Sequence, residues 1–263
     1  MTFANFQYFS DLHLEFYHTL PYFDIFPHAP YLVIAGDLGH AKESSYISFL
    51  THMSTLFEYV FIISGNHEYH SKLRIFTSNQ TEVVNSWMNS IEADIRKICA
   101  PLHNIIYLQN ESFEIPNTNI VIYGTTLWSH IDDCSRHTIK NQITDYKYIP
   151  GFTTTHSNIL YANNVKQLET TLTHPVYHDK VFVVISHHLP SYTLIHPKFS
   201  SFESNSAFAS NVSIANDPRI VAWFAGHTHE SIELGKFHIN PIGYPGEKIT
   251  VDCNKIVSVP YHC

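Results

Sequence analysis

An α/β fold of stacked layers, with residues 1–263 as one domain, is what the sequence predicts. Three observations lead there. Short β-rich runs alternate with amphipathic helical segments, which is the pattern of layered α/β architectures. Each run stops at polar residues, so the strands have a functional edge. The chain is long enough to bury a substantial core, and its 44% hydrophobic and 14% charged residues are the balance of a globular protein.

The first run, Phe6 to Phe9, is followed by Asp11-Leu12-His13. The second, Tyr31 to Ala35, ends at Gly36-Asp37, and the third, Tyr59 to Ile63, at Gly65-Asn66-His67-Glu68. A helix comes next: Val84, Trp87, Met88, Ile91, Ile95 and Ile98 recur at helical spacing, and Asn79 with Glu82 forms a capping box at its start. The fourth run is Asn119 to Tyr123. A second amphipathic helix spans Ser157 to Leu172 on Leu160, Val165, Leu168 and Leu172. The fifth run, Lys180 to Ile185, stops at Ser186-His187-His188, and the sixth, Arg219 to Phe224, at Gly226-His227-Thr228-His229. Two stretches, Ser129 to Thr155 and Leu189 to Asp217, show no period; long irregular segments in a compact domain are usually lids or binding loops. No internal repeat or linker marks a domain boundary.

A net charge of −8 without a block of Lys or Arg argues against long nucleic acid as a ligand. The four cysteines, Cys99, Cys134, Cys253 and Cys263, are too scattered for a disulfide framework or a zinc module and read as reduced thiols. No signal peptide is visible, nor an apolar stretch of about 18 residues that a membrane span needs, so the expected location is cytoplasmic.

Among 20 histidines, any single one is more often a surface or hydrogen-bonded residue than a ligand. An isolated Gly-Asp or Gly-Asn is as readily a turn. The order and placement of the five segments carry the argument. Strand ends that gather at one edge deliver distant side chains into one crevice. Imidazoles, carboxylates and an amide oxygen make a mixed donor set suited to zinc, iron or manganese. A carboxylate such as Asp37 can bridge two cations, and two ions about 3.5–4 Å apart can clamp a phosphoryl oxygen and generate hydroxide.

Together, Asp11-x-His13, Gly36-Asp37, Gly65-Asn66-His67-Glu68, His187 and Gly226-His227-x-His229 resemble the signature of the calcineurin-like metallophosphoesterases over nearly the whole chain. Gly124 to Trp128, Asp145-Tyr146, Ser186 to Ser191 and Asn240 to Gly246 are similar to a poorly characterised soluble subgroup of that superfamily. The resemblance implies a four-layer αββα β-sandwich flanked by helices, with two divalent or trivalent metal ions (Mn, Zn or Fe) at the strand ends. It implies one metal on Asp11, His13, Asp37 and His229, and the other on Asp37, Asn66, His187 and His227. His67 would meet the substrate as acid or transition-state stabiliser, and Glu68 would orient its neighbours. The activity implied is hydrolysis of a small phosphomonoester or phosphodiester, nucleotides included, by a metal-bridging hydroxide. Substrate-binding candidates are His188, Asp145 and Tyr146, for each of which structural packing is the alternative.

One departure matters. Gly36-Asp37 continues as Leu38-Gly39-His40-Ala41, without the phosphate-gripping arginine of the Ser/Thr protein phosphatase branch. A nuclease with the same metals and a non-catalytic protein-binding scaffold are the rival readings. The acidic balance weighs against the first, and the complete ligand set against the second.

Overall fold

Successive side chains of a strand point to opposite faces. Here both faces are apolar, so each sheet has to be covered twice. The structure, a computed structural model, describes residues 2–17, 25–72, 80–247 and 252–262. Its elements are β1 (Thr2–Phe9), β2 (Tyr31–Ile34), α1 (Ser44–Leu56), β3 (Tyr59–Ile62), α2 (Gln80–Cys99), β4 (Ile105–Tyr107), β5 (Glu111–Glu114) and β6 (Ile120–Thr125). They continue with α3 (Arg136–Gln142), α4 (Asp145–Tyr148), α5 (Thr154–Thr173), β7 (Val181–Ser186), β8 (Ile220–Ala225), β9 (Ile232–Leu234), β10 (Phe237–Ile239) and β11 (Ile256–Tyr261).

One sheet runs β11-β1-β2-β3-β4 and the other β5-β6-β7-β8-β10-β9. Strands β1 to β4 are parallel neighbours, as are β6, β7, β8 and β10, while β11, β5 and β9 attach antiparallel. Between the sheets lie Phe6, Val33 and Phe61 from the first and Ile122, Val183, Ile185 and Phe224 from the second. The alternate residues Leu32, Ile34, Val60 and Ile62 pack outward on Leu50 and Met53 of α1 and on Val84, Met88, Ile91 and Ile95 of α2. On the far side Val121, Tyr123, Phe182, Val184 and Trp223 meet Leu168 and Leu172 of α5. The result is the expected α/β/β/α stack. Phe61 has no exposed surface in the central layer, and its truncation to alanine would cost about 3–5 kcal/mol.

The six expected strands and two expected helices are present, with shifted ends. The first strand starts at Thr2 rather than Phe6, because β11 pairs with it from Thr2 to Gln7. Thr153, whose side chain accepts from the His156 N–H, starts the helix expected at Ser157. Asn79, the expected cap of α2, lies outside the described residues. Helix α1 went unrecognised, although Tyr46, Phe49, Leu50 and Met53 bury one face of it at helical spacing. Ser129 to Thr155 contains α3 and α4, and Leu189 to Asp217 is a chain of short 3-10 turns. Parallel order brings the C-terminal ends of β1, β2 and β3 to one edge, facing those of β6, β7 and β8.

Candidate metal centre

The chain leaves these strand ends in an unusual conformation. Asp11 (φ 56°), His13 (φ 50°), Asp37 (φ 52°), His227 (φ 72°) and His229 (φ 51°) all occupy the left-handed region. Among non-glycine residues that region favours Asp, Asn and His. These are also the types that donate oxygen and imidazole nitrogen to a cation. Gly65 lies beneath Asp37, where a Cβ would overlap Oδ1, and a Cβ at Gly226 would come 2.7 Å from Asp11 Oδ2.

These turns gather two groups of donor atoms. Those of Asp11, His13 and His229 lie within 4.8 Å of one another, as do those of Asp37, His187 and His227. Asp37 Oδ2 is 3.7 Å from His13 Nε2 and 3.3 Å from His187 Nε2, so it stands between the groups. Asn66 Oδ1 faces His187 Nε2 at 3.0 Å.

The outer ring nitrogens fix the tautomers. His13 Nδ1 donates to Glu15 Oε1 (3.1 Å), His187 Nδ1 to the Ala35 carbonyl (2.9 Å), and His229 Nδ1 to Glu247 Oε2 (2.6 Å). Carboxylates and carbonyls only accept, so each of these nitrogens carries a proton, and Nε2 is the atom each ring turns inward for a cation. Asn66 behaves likewise: its Nδ2 donates to Asp145 Oδ1 (2.7 Å), which aims its oxygen at the centre. His13 Nε2 and His229 Nε2 then face each other at 3.1 Å. Two acceptors that close repel unless a proton or a cation lies between them. His227 Nε2 is buried without a hydrogen bond.

The electrostatics agree. Burial opposes charge on His187, yet Asp37 and Asp11 push its imidazole up to about 10. Burial likewise opposes charge on His229, which Asp11 and Glu247 push up to about 9. Asp11, although fully buried, is drawn down to about 2 by His229 and His187. Burial and the neighbouring His187 hold His227 down at about 4, so this ring is a neutral donor. An acceptor-lined centre that draws protons onto its histidines fits cations well.

The other expected residues fall around this centre. His67 donates from Nδ1 to Glu15 Oε1 (2.9 Å), and its Nε2 lies 3.1 Å from the Tyr244 hydroxyl. Glu68 is buried and takes the N–H groups of Gly65 (2.6 Å), Leu38 (2.7 Å) and Asp37 (3.2 Å), tying the second and third strand ends together. His188 stacks on His227 with ring centres 4.2 Å apart, and its Nδ1 is 2.8 Å from Ser129 Oγ. Asp145 is buried and engages Asn66 and His70 (2.8 Å), and Tyr146 stacks on Phe152 at 5.4 Å. A cavity of about 460 Å³ opens over Asp37, Asn66, His67, His227 and His229. The segment from Ser129 to Thr155 does reach its wall, through Gln142, Ile143 and Thr144 rather than through Asp145 or Tyr146.

Sequence reasoning missed Glu15, Glu247 and Tyr244. Glu15 continues the alternation of Asp11 and His13, and Tyr244 falls within the Asn240 to Gly246 segment that resembles a subgroup, so a signal was present for both. Glu247 had none.

A family model of the calcineurin-like phosphoesterases matches residues 6–231. The uncharacterized protein L509 of Acanthamoeba polyphaga mimivirus is 28% identical, with 92% of this chain and 92% of that protein covered. Among solved structures, phosphopantetheinyl hydrolase (PptH) from Mycobacterium tuberculosis superposes with a TM-score of 0.64 at 15% identity, over 92% of this chain and 90% of that one. The protein TT1561 of Thermus thermophilus gives 0.49 at 9% identity, over 91% and 90%. Among the described residues no helix is long and apolar enough to cross a membrane. With the family match spanning most of the chain, on a four-layer fold whose strand ends gather these donors, the protein belongs to the calcineurin-like phosphoesterases and is a metal-binding phosphoester hydrolase.

Proposed function

We propose that the chain hydrolyses small phosphate monoesters or diesters at a centre of two metal ions. Asp11, His13, Asp37 and His229 would hold one ion, and Asp37, Asn66, His187 and His227 the other, with manganese, zinc or iron suiting the mixed donors. The observation that carries this reading is the inward set of acceptors, above all His13 Nε2 facing His229 Nε2 at 3.1 Å with both outer nitrogens already committed. When bound, such a pair of ions supplies Lewis acidity to the phosphoryl oxygens and activates water.

The chain's own residues do the rest. His67, held between Glu15 and Tyr244 on the cavity wall, assists the oxygen that leaves. Asp145 acts through Asn66, and Glu68 through the main chain at Asp37 and Gly65. His188 backs His227 from beneath. The cavity is of a size for a small ester, with Phe199, Phe208 and Tyr244 as its aromatic wall.

The test is elemental analysis of the purified protein beside a hydrolysis screen. Phosphomonoesters, cyclic nucleotides, dinucleotides, bis-phosphodiesters and a phosphopantetheinyl ester are offered with manganese, zinc and iron supplied separately. Two metals per chain and turnover of at least one small ester are expected. A protein that takes up one metal, or that cleaves single-stranded DNA faster than any small ester, would overturn the reading.

A further inference from the structure

Histidines aside, the charged side chains that line the cavity over the donor cluster are acidic with one exception. Asp37, Glu230 and Glu247 line it, and Lys198 is the one lysine or arginine on the wall among the described residues. Lys198 sits in the 3-10 turn Pro197–Phe199, where its N–H donates to His196 Nδ1 at 3.2 Å. Its ammonium lies 4.7 Å from the centre of the Phe199 ring and is paired with Glu230, the residue directly after His229. The pair thus links the irregular Leu189–Asp217 segment to the loop that carries two of the proposed ligands. Lys198 is half exposed and Glu230 is 22% exposed, so the bridge sits at the cavity mouth in contact with water. Bridges in that setting contribute little and exchange partners readily.

We propose that Lys198 is the specificity-determining residue of this cavity, and that it leaves Glu230 to bind a second phosphate group on the substrate. The inference rests on the hydrolytic reading above, which it deepens by naming the substrate class: esters with one scissile phosphoryl group and another phosphate on the same molecule. Lysine is a compact point charge that suits a phosphate. The scissile group itself is left to the donor cluster, in a chain that lacks the arginine after Gly36-Asp37. Glu230 discriminates as well as waits, because an ester without the second phosphate cannot replace it as a partner for Lys198.

The test uses the metal-loaded protein and two chromogenic diesters that share a p-nitrophenyl leaving group and a nucleoside, one with and one without an extra phosphate on the ribose. The quantity read is the ratio of kcat/KM for the two. In the unmodified protein it should favour the phosphorylated ester and shrink as salt rises. Lys198→Met should lower the ratio about tenfold, the size of one charge-assisted hydrogen bond. Lys198→Arg should retain it, and Glu230→Gln should raise it. An unchanged ratio in Lys198→Met, with the plain ester still cleaved, overturns this inference alone. Failure of the unmodified protein to cleave either of these esters also overturns this inference, and failure on every ester of the wider screen overturns the hydrolytic reading as well.

Discussion

The two halves of the donor cluster are supported by different means. Around His13 and His229 the imidazoles are held by side-chain carboxylates, Glu15 and Glu247, and Glu247 is 37% exposed. Around His187 the support is the main-chain carbonyl of Ala35, and Asn66 is held by the buried Asp145. Each half has one partly exposed imidazole, His229 in the first and His227 in the second, so it is the supports that set them apart. A main-chain support cannot be removed by substitution, and a buried one exchanges slowly with water. The half built on Asp11, His13 and His229 should therefore be the tunable, exchangeable position, and the half built on Asn66, His187 and His227 the permanent one.

Asp37 stands between the halves, 3.7 Å from His13 and 3.3 Å from His187, and its loss should break the comparison outright. Asp37→Asn should lose both metals and bring turnover to background, whereas Asp11→Asn should lose only the one that Asp11, His13 and His229 would hold; elemental analysis separates them. If Asp37→Asn keeps two metals, the bridging assignment is wrong. The next effect in size belongs to His67, which neither half uses. His67→Ala should lose about 10²- to 10⁴-fold in rate while keeping both metals. The loss should be smaller on a nitrophenyl ester than on an alkyl ester, whose leaving oxygen needs the proton more; equal losses would remove the case for a general acid.

Two gentler variants sharpen the contrast. Asp145→Ala frees the Asn66 amide to rotate and should weaken the inner position about 10- to 100-fold, measured by competition with a chelator. Glu247→Gln, at a water-exposed carboxylate, should weaken the outer position by about tenfold or less. Chelator titration of the unmodified protein should remove the metals in two steps, with the position backed by the exposed Glu247 emptying first. A single step would mean that the two supports are equivalent.

Much of this was legible in the sequence because two physical demands select the same letters. A left-handed turn at the end of a strand favours Asp, Asn and His, and a mixed-donor cation site calls for them too. Asp11-x-His13 and Gly226-His227-x-His229 therefore stand out against a background of 20 histidines. The strands were legible because apolar residues fill both of their faces. What stayed hidden depends on long-range contact. Glu247 reaches His229 from 18 residues away, and Tyr244 reaches His67 from 177 away. Asp145 was singled out, but its partner Asn66, 79 residues earlier in the chain, could not be read. Helix α1 had the right spacing, and its first residue follows Glu43, which makes no side-chain cap.

The left-handed backbone at five proposed ligands has a consequence for lineages as well as for single molecules. Each such residue holds the chain where a side chain is disfavoured, at a cost of about 1–3 kcal/mol, and glycine would remove most of it. Selection for catalysis and selection for stability therefore pull in opposite directions at positions 11, 13, 37, 227 and 229. A descendant that kept the fold and abandoned the reaction would relieve that strain by drifting to glycine there, and its loss of activity would be written at those positions first. His227→Gly gives the laboratory version of that drift, since its Nε2 is buried without a hydrogen bond: a raised melting temperature for the metal-free protein together with abolished turnover.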